Sequence, residues 1–512
     1  MNKLIARIIC LGLIVHSIES NFVDLTQYYR QRNDLLISEM NSSFGNDINL
    51  TEIEKVANKI IMKAKEDELK VGLINPHLFN PSRHIFEVLD IVKNSKLFQI
   101  IKKMPKGGLL YVHEKTMCSA DYLVSLTYWP NLWQLSTNNS EIETFQFARQ
   151  KPQKLQSKND EWRLVADVRA EMGASNYDQY VRKVFTLFDK NIDPRIQFRD
   201  VNEVWNRFAN IFIKITPLLS YAPIFKEYLK HAFKEFQNDG IQYAEIRSSF
   251  PKLYDLDGNI YSEMAIFDVY QQVLVEFKRK NPLFIGYKII YAPGKYKVAN
   301  ETIAQQYFDL ARQSHEKYPH ILRGFDLVGQ EDRTPGLLLV AKQILQLPAD
   351  LNLFFHAGET NWFGSVDENL FDTILMGSRR IGHGYALTKH PKLMEFVKRN
   401  NIAVEVNPIS NQVLKLVDDY RNHPASVLIA QNVPIIISSD DPGFWEVSPL
   451  SHDFYMTFLG IASRHSDLRT LKKLAINSIQ YSSLNDMEKT TAFTKWQIKW
   501  DQFIIDLVEQ TF

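Results

Sequence analysis

The chain has 512 residues, 45% of them apolar and 12% aromatic, a composition that suits a large folded core and excludes a disordered or collagen-like chain. Lysine plus arginine number 60 against 59 aspartate plus glutamate. Without residues 1–20, which carry Lys3, Arg7 and Glu19, the charges balance, so binding to nucleic acid through bulk charge is excluded.

Residues 1–20 have a basic start, an apolar run from Ile8 to Val15 and small or polar residues up to Ser20. This pattern predicts a secretory signal peptide cleaved near Ser20. The run is too short to span a bilayer, and no later segment reaches the roughly 18 apolar residues of a membrane helix. Cys10 lies in this leader, which leaves Cys118 alone and excludes a disulfide scaffold or a cysteine zinc module. Sequons at Asn41, Asn49, Asn138 and Asn300 predict glycosylation and agree with export.

Residues 21–103 read as a helical arm. Thr51 with Glu54 forms a capping-box pattern, followed by Ile53, Val56, Ala57, Ile60 and Ala64 at helical spacing, then by Ile85, Val88, Leu89 and Val92. Such stripes pack either on the chain's own domain or on a second copy. From Met104 the pattern changes to eight short apolar runs, most of them separated by helix-length gaps: Gly108–His113, Ile241–Ser248, Phe284–Ala292, Leu322–Gly329, Leu351–Gly358, Arg380–Gly384, Ile402–Pro408 and Val433–Asp440. Eight strand–helix units predict an α/β fold of the (β/α)8 TIM barrel kind over residues 104–512. An open doubly wound sheet is the alternative, weakened by the lack of a Gly-x-Gly-x-x-Gly turn after any run. The interval 114–240 is too long for one crossover and must hold an insertion. Residues 128–162 read as irregular, with Arg149, Lys151, Lys154 and Lys158 making the second half basic, so a solvated loop is expected and a partner- or glycan-binding subdomain is the alternative.

In such a barrel the chemistry sits at the carboxyl ends of the strands. Those ends carry Tyr111, His113 and Glu114; Gly329 and Glu331; His356 and Glu359; His383; Ser410 and Asn411; Asp440 and Asp441. Imidazoles and carboxylates converging on one rim form the donor set of a catalytic zinc.

The segments MPKGGLLYVHE, FDLVGQED, FFHAGET, RIGHGYALTKHP, VNPISNQVLKLVDDYRNHP and ISSDDPGFW resemble the adenosine deaminase-like growth factors, the secreted branch of the adenosine deaminase family among the amidohydrolase barrels. The resemblance implies one Zn2+ per subunit held by His113, His356 and Asp440. It implies that Glu359 donates a proton to the purine, that His383 orients the attacking water, takes up its proton and stabilises the developing charge, and that Asp441 and the Gly329 backbone contact the base. Glu114 would meet the ribose, and Glu331 and Trp205 would line the pocket. Adenosine or 2′-deoxyadenosine is the implied substrate. The arm resembles the branch's dimerisation element, and residues 126–172 its receptor-binding segment, which points to a cell-surface receptor or glycosaminoglycan as partner. Two residues depart from the pattern. Tyr111 stands where the family has a first histidine ligand, and Glu114 where it has aspartate. Three protein ligands suffice for a catalytic zinc, so the expectation is an enzyme with weakened metal affinity. The alternative is a homologue without turnover that binds adenosine or a receptor.

Overall fold

The computed structural model describes residues 24–137, 141–153, 160–360 and 363–510. The expected signal peptide, Asn138, Lys154 and Lys158 lie outside these residues. None of the described helices is long and apolar enough to cross a membrane.

All eight anticipated runs carry strands. In chain order the molecule has β1 (Gly107–His113), then β2 (Leu132–Ser136), β3 (Ile142–Phe147) and β4 (Glu161–Leu164) in the insertion, and then β5 (Ile241–Ser248), β6 (Gly286–Tyr291), β7 (Leu322–Phe325), β8 (Asn352–Leu353), β9 (His356–Ala357), β10 (Arg380–His383), β11 (Ala403–Val406) and β12 (Ile435–Ile437). Parallel pairing runs β1-β5-β6-β7-β8 and β9-β10-β11-β12. The fifth barrel strand is interrupted at Phe354–Phe355. Its first half pairs with β7 and its second with β10, and Phe354 N–H donates to Phe325 at 3.1 Å while Phe355 accepts from Gly382 N–H at 2.8 Å. The remaining seam closes beside the site, where a bridge joins Val112 to Asp440 through His113 N–H to Asp440 O at 3.0 Å and Asp440 N–H to Tyr111 O at 3.1 Å.

The barrel interior holds charge as well as hydrocarbon. Alternation along parallel strands turns Glu245, Arg247, Arg380 and Glu405 inward, all fully buried. Arg380 joins Glu245 at 2.6 Å and Glu405 at 2.7 Å, and Arg247 joins Glu405 at 2.7 Å and Asp326 at 2.8 Å. Each carboxylate thus has a guanidinium partner, without which its burial would be prohibitive.

The region 128–162 is not the irregular loop expected of it. Strands β3-β2-β4 form an antiparallel sheet. The strands bury Leu132, Leu135, Ile142, Phe145, Phe147 and Trp162. Phe147 stacks on Tyr221 at 4.4 Å, and the sheet lies against the helix Val201–Leu219. The polar residues between these apolar positions hid the strands, because each strand is short and gains its apolar face only from its neighbours.

In the arm, Thr51 and Glu54 form the anticipated capping box. The helix Glu52–Ile74 is rotated from the expected stripe. It buries Ala57, Ile61 and Ala64, whereas Ile53 and Val56 are exposed. Polar anchors set this rotation. Glu54 accepts from Trp500 Nε1 at 2.7 Å and pairs with Lys472 at 2.5 Å, and Lys65 donates to the Ser463 and Ser466 carbonyls at 2.9 Å. The preceding helix Leu25–Ser42 buries no residue and exposes Leu25, Tyr28, Tyr29, Leu35, Leu36, Ile37 and Met40.

Candidate active site

The strand ends bring Tyr111, His113, His356, Glu359, His383, Asp440 and Asp441 to one buried place. His113 Nε2 lies 3.2 Å from Asp440 Oδ1. His383 Nε2 lies 3.6 Å from Glu359 Oε1 and 3.9 Å from Asp440 Oδ2. The His113 and His356 rings are 5.9 Å apart between centroids. His383 and Asp440 adopt φ of +60° and +61°. Side chains other than glycine rarely take this conformation, and it persists where a site demands it.

Tyr111 lies at the centre. Its hydroxyl contacts His356 Nε2 and lies 2.8 Å from His383 Nε2, and its ring lies 3.5 Å under the Arg247 guanidinium. Gly382 leaves room for that ring, since a Cβ there would come within 3.2 Å of it. Asp326 accepts from His356 Nδ1 at 2.8 Å and from His356 N–H at 3.0 Å, fixing the imidazole from behind. Ser410 Oγ donates to Asp440 Oδ2 at 2.8 Å.

The acids differ in charge state. Burial, with the negative charge of Asp440 beside it, holds both Glu359 and Asp441 well above the usual carboxylate range, which favours their protonated forms. Burial alone would also raise Asp440, but the adjacent His113 overrides it and holds Asp440 low. Burial pushes His383 down to about 3 against the pull of Asp440. The site therefore favours negative charge on Asp440 over Glu359 and Asp441, with His383 a neutral imidazole.

The remaining expected residues take distinct places. Glu114 is buried, accepts from the Tyr270 hydroxyl at 2.9 Å, and is raised by burial to about 7. Gly329 adopts φ +130°, which only glycine does readily. Trp205 is nearly buried on the helix Val201–Leu219, its indole N–H unpartnered, with Phe208 edge-on at 5.3 Å. The same helix brings Phe212 to 6.4 Å from His113 and so covers the mouth. Glu331, expected to line the pocket, also braces it. Its carboxylate accepts from Gly358 N–H at 3.1 Å, Glu359 N–H at 2.7 Å and Asn369 Nδ2 at 2.6 Å, so it holds the loop that carries Glu359. Asn41, Asn49 and Asn300 are exposed.

The donor set fits a metal ion. Among the described residues, two groups of donor atoms lie within 4.8 Å of one another: His113, Asp440 and Asp441, and Glu359, His383 and Asp440. Asp440 belongs to both. His356 belongs to neither, and its Nε2 is engaged by Tyr111. Glu359 and Asp441 keep both carboxyl oxygens buried without a hydrogen-bond partner, which marks a place for a ligand from outside the chain.

A parallel barrel with carboxyls and imidazoles gathered at its mouth is the arrangement of a barrel enzyme with a site able to hold a metal ion and move protons. Comparison with known proteins agrees. The adenosine deaminase family model matches residues 178–495, and the adenosine/AMP deaminase N-terminal model matches residues 9–101. An adenosine deaminase of Lutzomyia longipalpis is 48% identical over 93% of each chain, and adenosine deaminase 2 of Homo sapiens is 38% identical over 93% of each. Among solved structures, an N6-methyl-AMP deaminase of Arabidopsis thaliana superposes with TM-score 0.52 at 16% identity, covering 79% of this chain and 99% of that one. A cog1816 amidohydrolase of Burkhoderia ambifaria with bound Zn gives 0.55 at 16%, covering 80% and 94%. These two likenesses show the fold. The chain belongs to the adenosine deaminase family, hydrolases that act on adenosine.

Proposed function

We propose that the chain is a secreted, zinc-dependent deaminase that converts adenosine or 2′-deoxyadenosine, with water, to inosine or deoxyinosine and ammonia, and that it acts as a growth factor by lowering extracellular adenosine. The observation that carries this reading is Glu359, buried with both oxygens free and 3.6 Å from His383, where burial and the charge of Asp440 push it toward its protonated form. A carboxyl kept protonated can donate to purine N1 and draw electrons from C6, where the C–N bond breaks and the C–O bond forms. Protonated Asp441 donates to N7, and the Gly329 N–H supports the base. Glu331 fixes the backbone of Glu359, so the donor is oriented before substrate arrives. His383 faces the same side and orients the attacking water. His113, His356 and Asp440 would hold zinc, which supplies Lewis acidity and lowers the pKa of water toward neutrality. Tyr111 competes for His356, which supports a weakened metal centre.

Association through the arm fits this reading, because the helix Leu25–Ser42 exposes seven large apolar side chains among its polar ones and buries none in its own chain. The three-stranded insertion is a compact surface for a receptor or glycosaminoglycan.

The test is to purify the secreted protein, measure its zinc by mass spectrometry and follow adenosine by ultraviolet absorbance. Inosine formation that is lost with chelator and restored by zinc is expected. Intact adenosine after zinc is supplied would sink the enzyme reading and leave the ligand- or receptor-binding homologue in its place.

A further inference from the structure

The motif VNPISNQVLKLVDDYRNHP contributes three consecutive side chains from the short helix Pro408–Val413, and each points to a different part of the molecule. Ser410 holds Asp440. Gln412 accepts from Ile85 N–H at 2.7 Å and donates to the Arg83 carbonyl at 3.0 Å, tying the arm to the barrel. Between them, Asn411 sits against His383, with its Nδ2 3.4 Å from His383 Nδ1 and its Oδ1 2.9 Å from His423 Nε2. All three residues of this contact are at most 2% exposed.

The direction of these hydrogen bonds follows from an anchor that can only donate. Ala425 N–H donates to His423 Nδ1 at 3.0 Å. A neutral imidazole that accepts at Nδ1 carries its proton on Nε2, and burial keeps His423 neutral by pushing it down to about 3. His423 Nε2–H therefore donates to Asn411 Oδ1. Turning the amide over would set two donors against each other, so Nδ2 is the atom that faces His383. His383 Nδ1 must then accept, and its proton is on Nε2.

A second anchor at the far end can only accept. Asp326 is held ionised: although its burial opposes this, His356 and Arg247 lower it. It accepts from His356 Nδ1–H, which leaves His356 Nε2 as an acceptor for the Tyr111 hydroxyl. Tyr111 then uses its lone pair for His383 Nε2–H at 2.8 Å. While His356 Nε2 is free of metal, two unrelated anchors, a backbone N–H and a carboxylate, thus dictate the same direction through Asn411, His383, Tyr111 and His356; the His423 anchor acts with or without metal.

We propose that His423, acting through Asn411, is a positioning residue that fixes the proton of His383 on Nε2. His383 consequently meets the reacting face as a hydrogen-bond donor. Contrary to the role the resemblance implies, it stabilises negative charge developing on the attacking oxygen and does not remove the water proton, which passes to the ionised Asp440 carboxylate and on to the departing ammonia. This consequence rests on the deaminase reading; the tautomer itself does not.

The experiment uses the full chain with 15N-labelled histidine imidazoles and long-range proton–nitrogen correlation, with the His383 signals assigned by their loss in His383→Asn. Wild type is expected to show His383 protonated at Nε2. In Asn411→Asp the carboxylate accepts from both imidazoles, and the proton moves to His383 Nδ1. For that variant kcat falls by roughly 100-fold or more while KM stays within about threefold, the loss typical of a misdirected acid–base group. His423→Gln keeps an acceptor for Ala425 and a donor for Asn411 and stays within about fivefold of wild type, whereas His423→Leu falls with Asn411→Asp. A wild-type His383 protonated at Nδ1 overturns the proposal even if none of the Asn411 and His423 variants folds. So does an Asn411→Asp spectrum that keeps the Nε2 proton, or a His423→Gln variant as damaged as His423→Leu. If wild type leaves adenosine intact, the spectra still decide the tautomer, which separates this failure from failure of the deaminase reading.

Discussion

Replacing Tyr111 by histidine tests the residue that most sets this chain apart from its family pattern. In wild type the phenol occupies His356 Nε2, the nitrogen that ligation would use, and braces His383. Tyr111→His frees that lone pair and adds a further imidazole beside His113. Outer groups around a metal site are worth about 10–100-fold in affinity, and a direct ligand exceeds them, so zinc should bind at least ~100-fold tighter, close to 3 kcal/mol. The gain has a structural cost. The ring under Arg247 at 3.5 Å is a desolvated cation–π contact worth about 1–2 kcal/mol. At ~2.1 cal/mol/K per residue, that loss lowers the metal-free Tm of a chain this long by about 1–2 °C. Chelator-competition titration reads the affinity, calorimetry with excess chelator reads the Tm, and adenosine turnover at limiting zinc reads the consequence. Tyr111→Phe, which frees His356 without adding a ligand, should fall between. If Tyr111→His binds zinc no more tightly than wild type, the phenol is not what limits the site, and the assignment of His356 as a ligand fails with it.

Glu359→Gln should lower kcat by about 10²–10⁴-fold while leaving zinc content unchanged, because the carboxyl donates a proton and does not ligate; loss of zinc by atomic absorption would reassign it to the metal. Asp326→Asn weakens the brace on His356 and is expected to reduce zinc affinity by about 10–100-fold, read by the same chelator competition, with retained affinity contradicting it. Lys65 gives a pH dependence away from the site. Burial lowers it from 10.5 to about 7. Below pH 7 both folded and unfolded states carry its proton and the fold bears the full cost of burying the charge. Between 7 and 10.5 only the unfolded state is protonated, so stability rises with pH. Relative to Lys65→Met, wild type should gain roughly 3 kcal/mol, or about 3 °C in Tm, between pH 7 and pH 9; parallel calorimetric profiles would refute a buried, titrating Lys65. Removing residues 24–43 should turn an associated species into a monomer in sedimentation velocity without changing kcat, and an unchanged sedimentation coefficient would show that the exposed helix Leu25–Ser42 does not mediate assembly.

The barrel was legible because a strand buried on both faces shows as a continuous apolar run, and chemistry at the strand ends then follows from chain position alone. That is why His113, His356, Glu359, His383 and Asp440 could be placed together. Residues acting through others were not legible. Arg247, Asp326, Asn411 and His423 each make their defining contact at least 12 residues away along the chain, and no local pattern distinguishes them from ordinary buried polar residues. Glu331 stood in the right motif, but its bracing of the Glu359 backbone was not legible, since sequence cannot say which backbone a carboxylate will hold. The arm misled in rotation only. Hydrophobicity favoured Ile53 and Val56, but Glu54 and Lys65 turned the helix by offering bonds that the apolar pattern does not weigh.

The charges beneath the site explain why a cation belongs there although one imidazole is lacking. Glu245, Arg380, Glu405, Arg247 and Asp326 form a continuous ladder up the barrel axis, ending on His356. Three carboxylates against two guanidiniums leave one negative charge in excess, and Asp440 adds another at the mouth. Water is excluded at these depths, so neither excess is screened as it would be at the surface. The chain limits the imbalance by favouring the protonated forms of Glu359 and Asp441, the condition on which their proposed proton donation rests. A divalent cation offsets the remainder. The field that draws a metal to Asp440 is therefore built into the barrel below it, and Tyr111 alters how tightly the ion is gripped without removing the reason for it to be there.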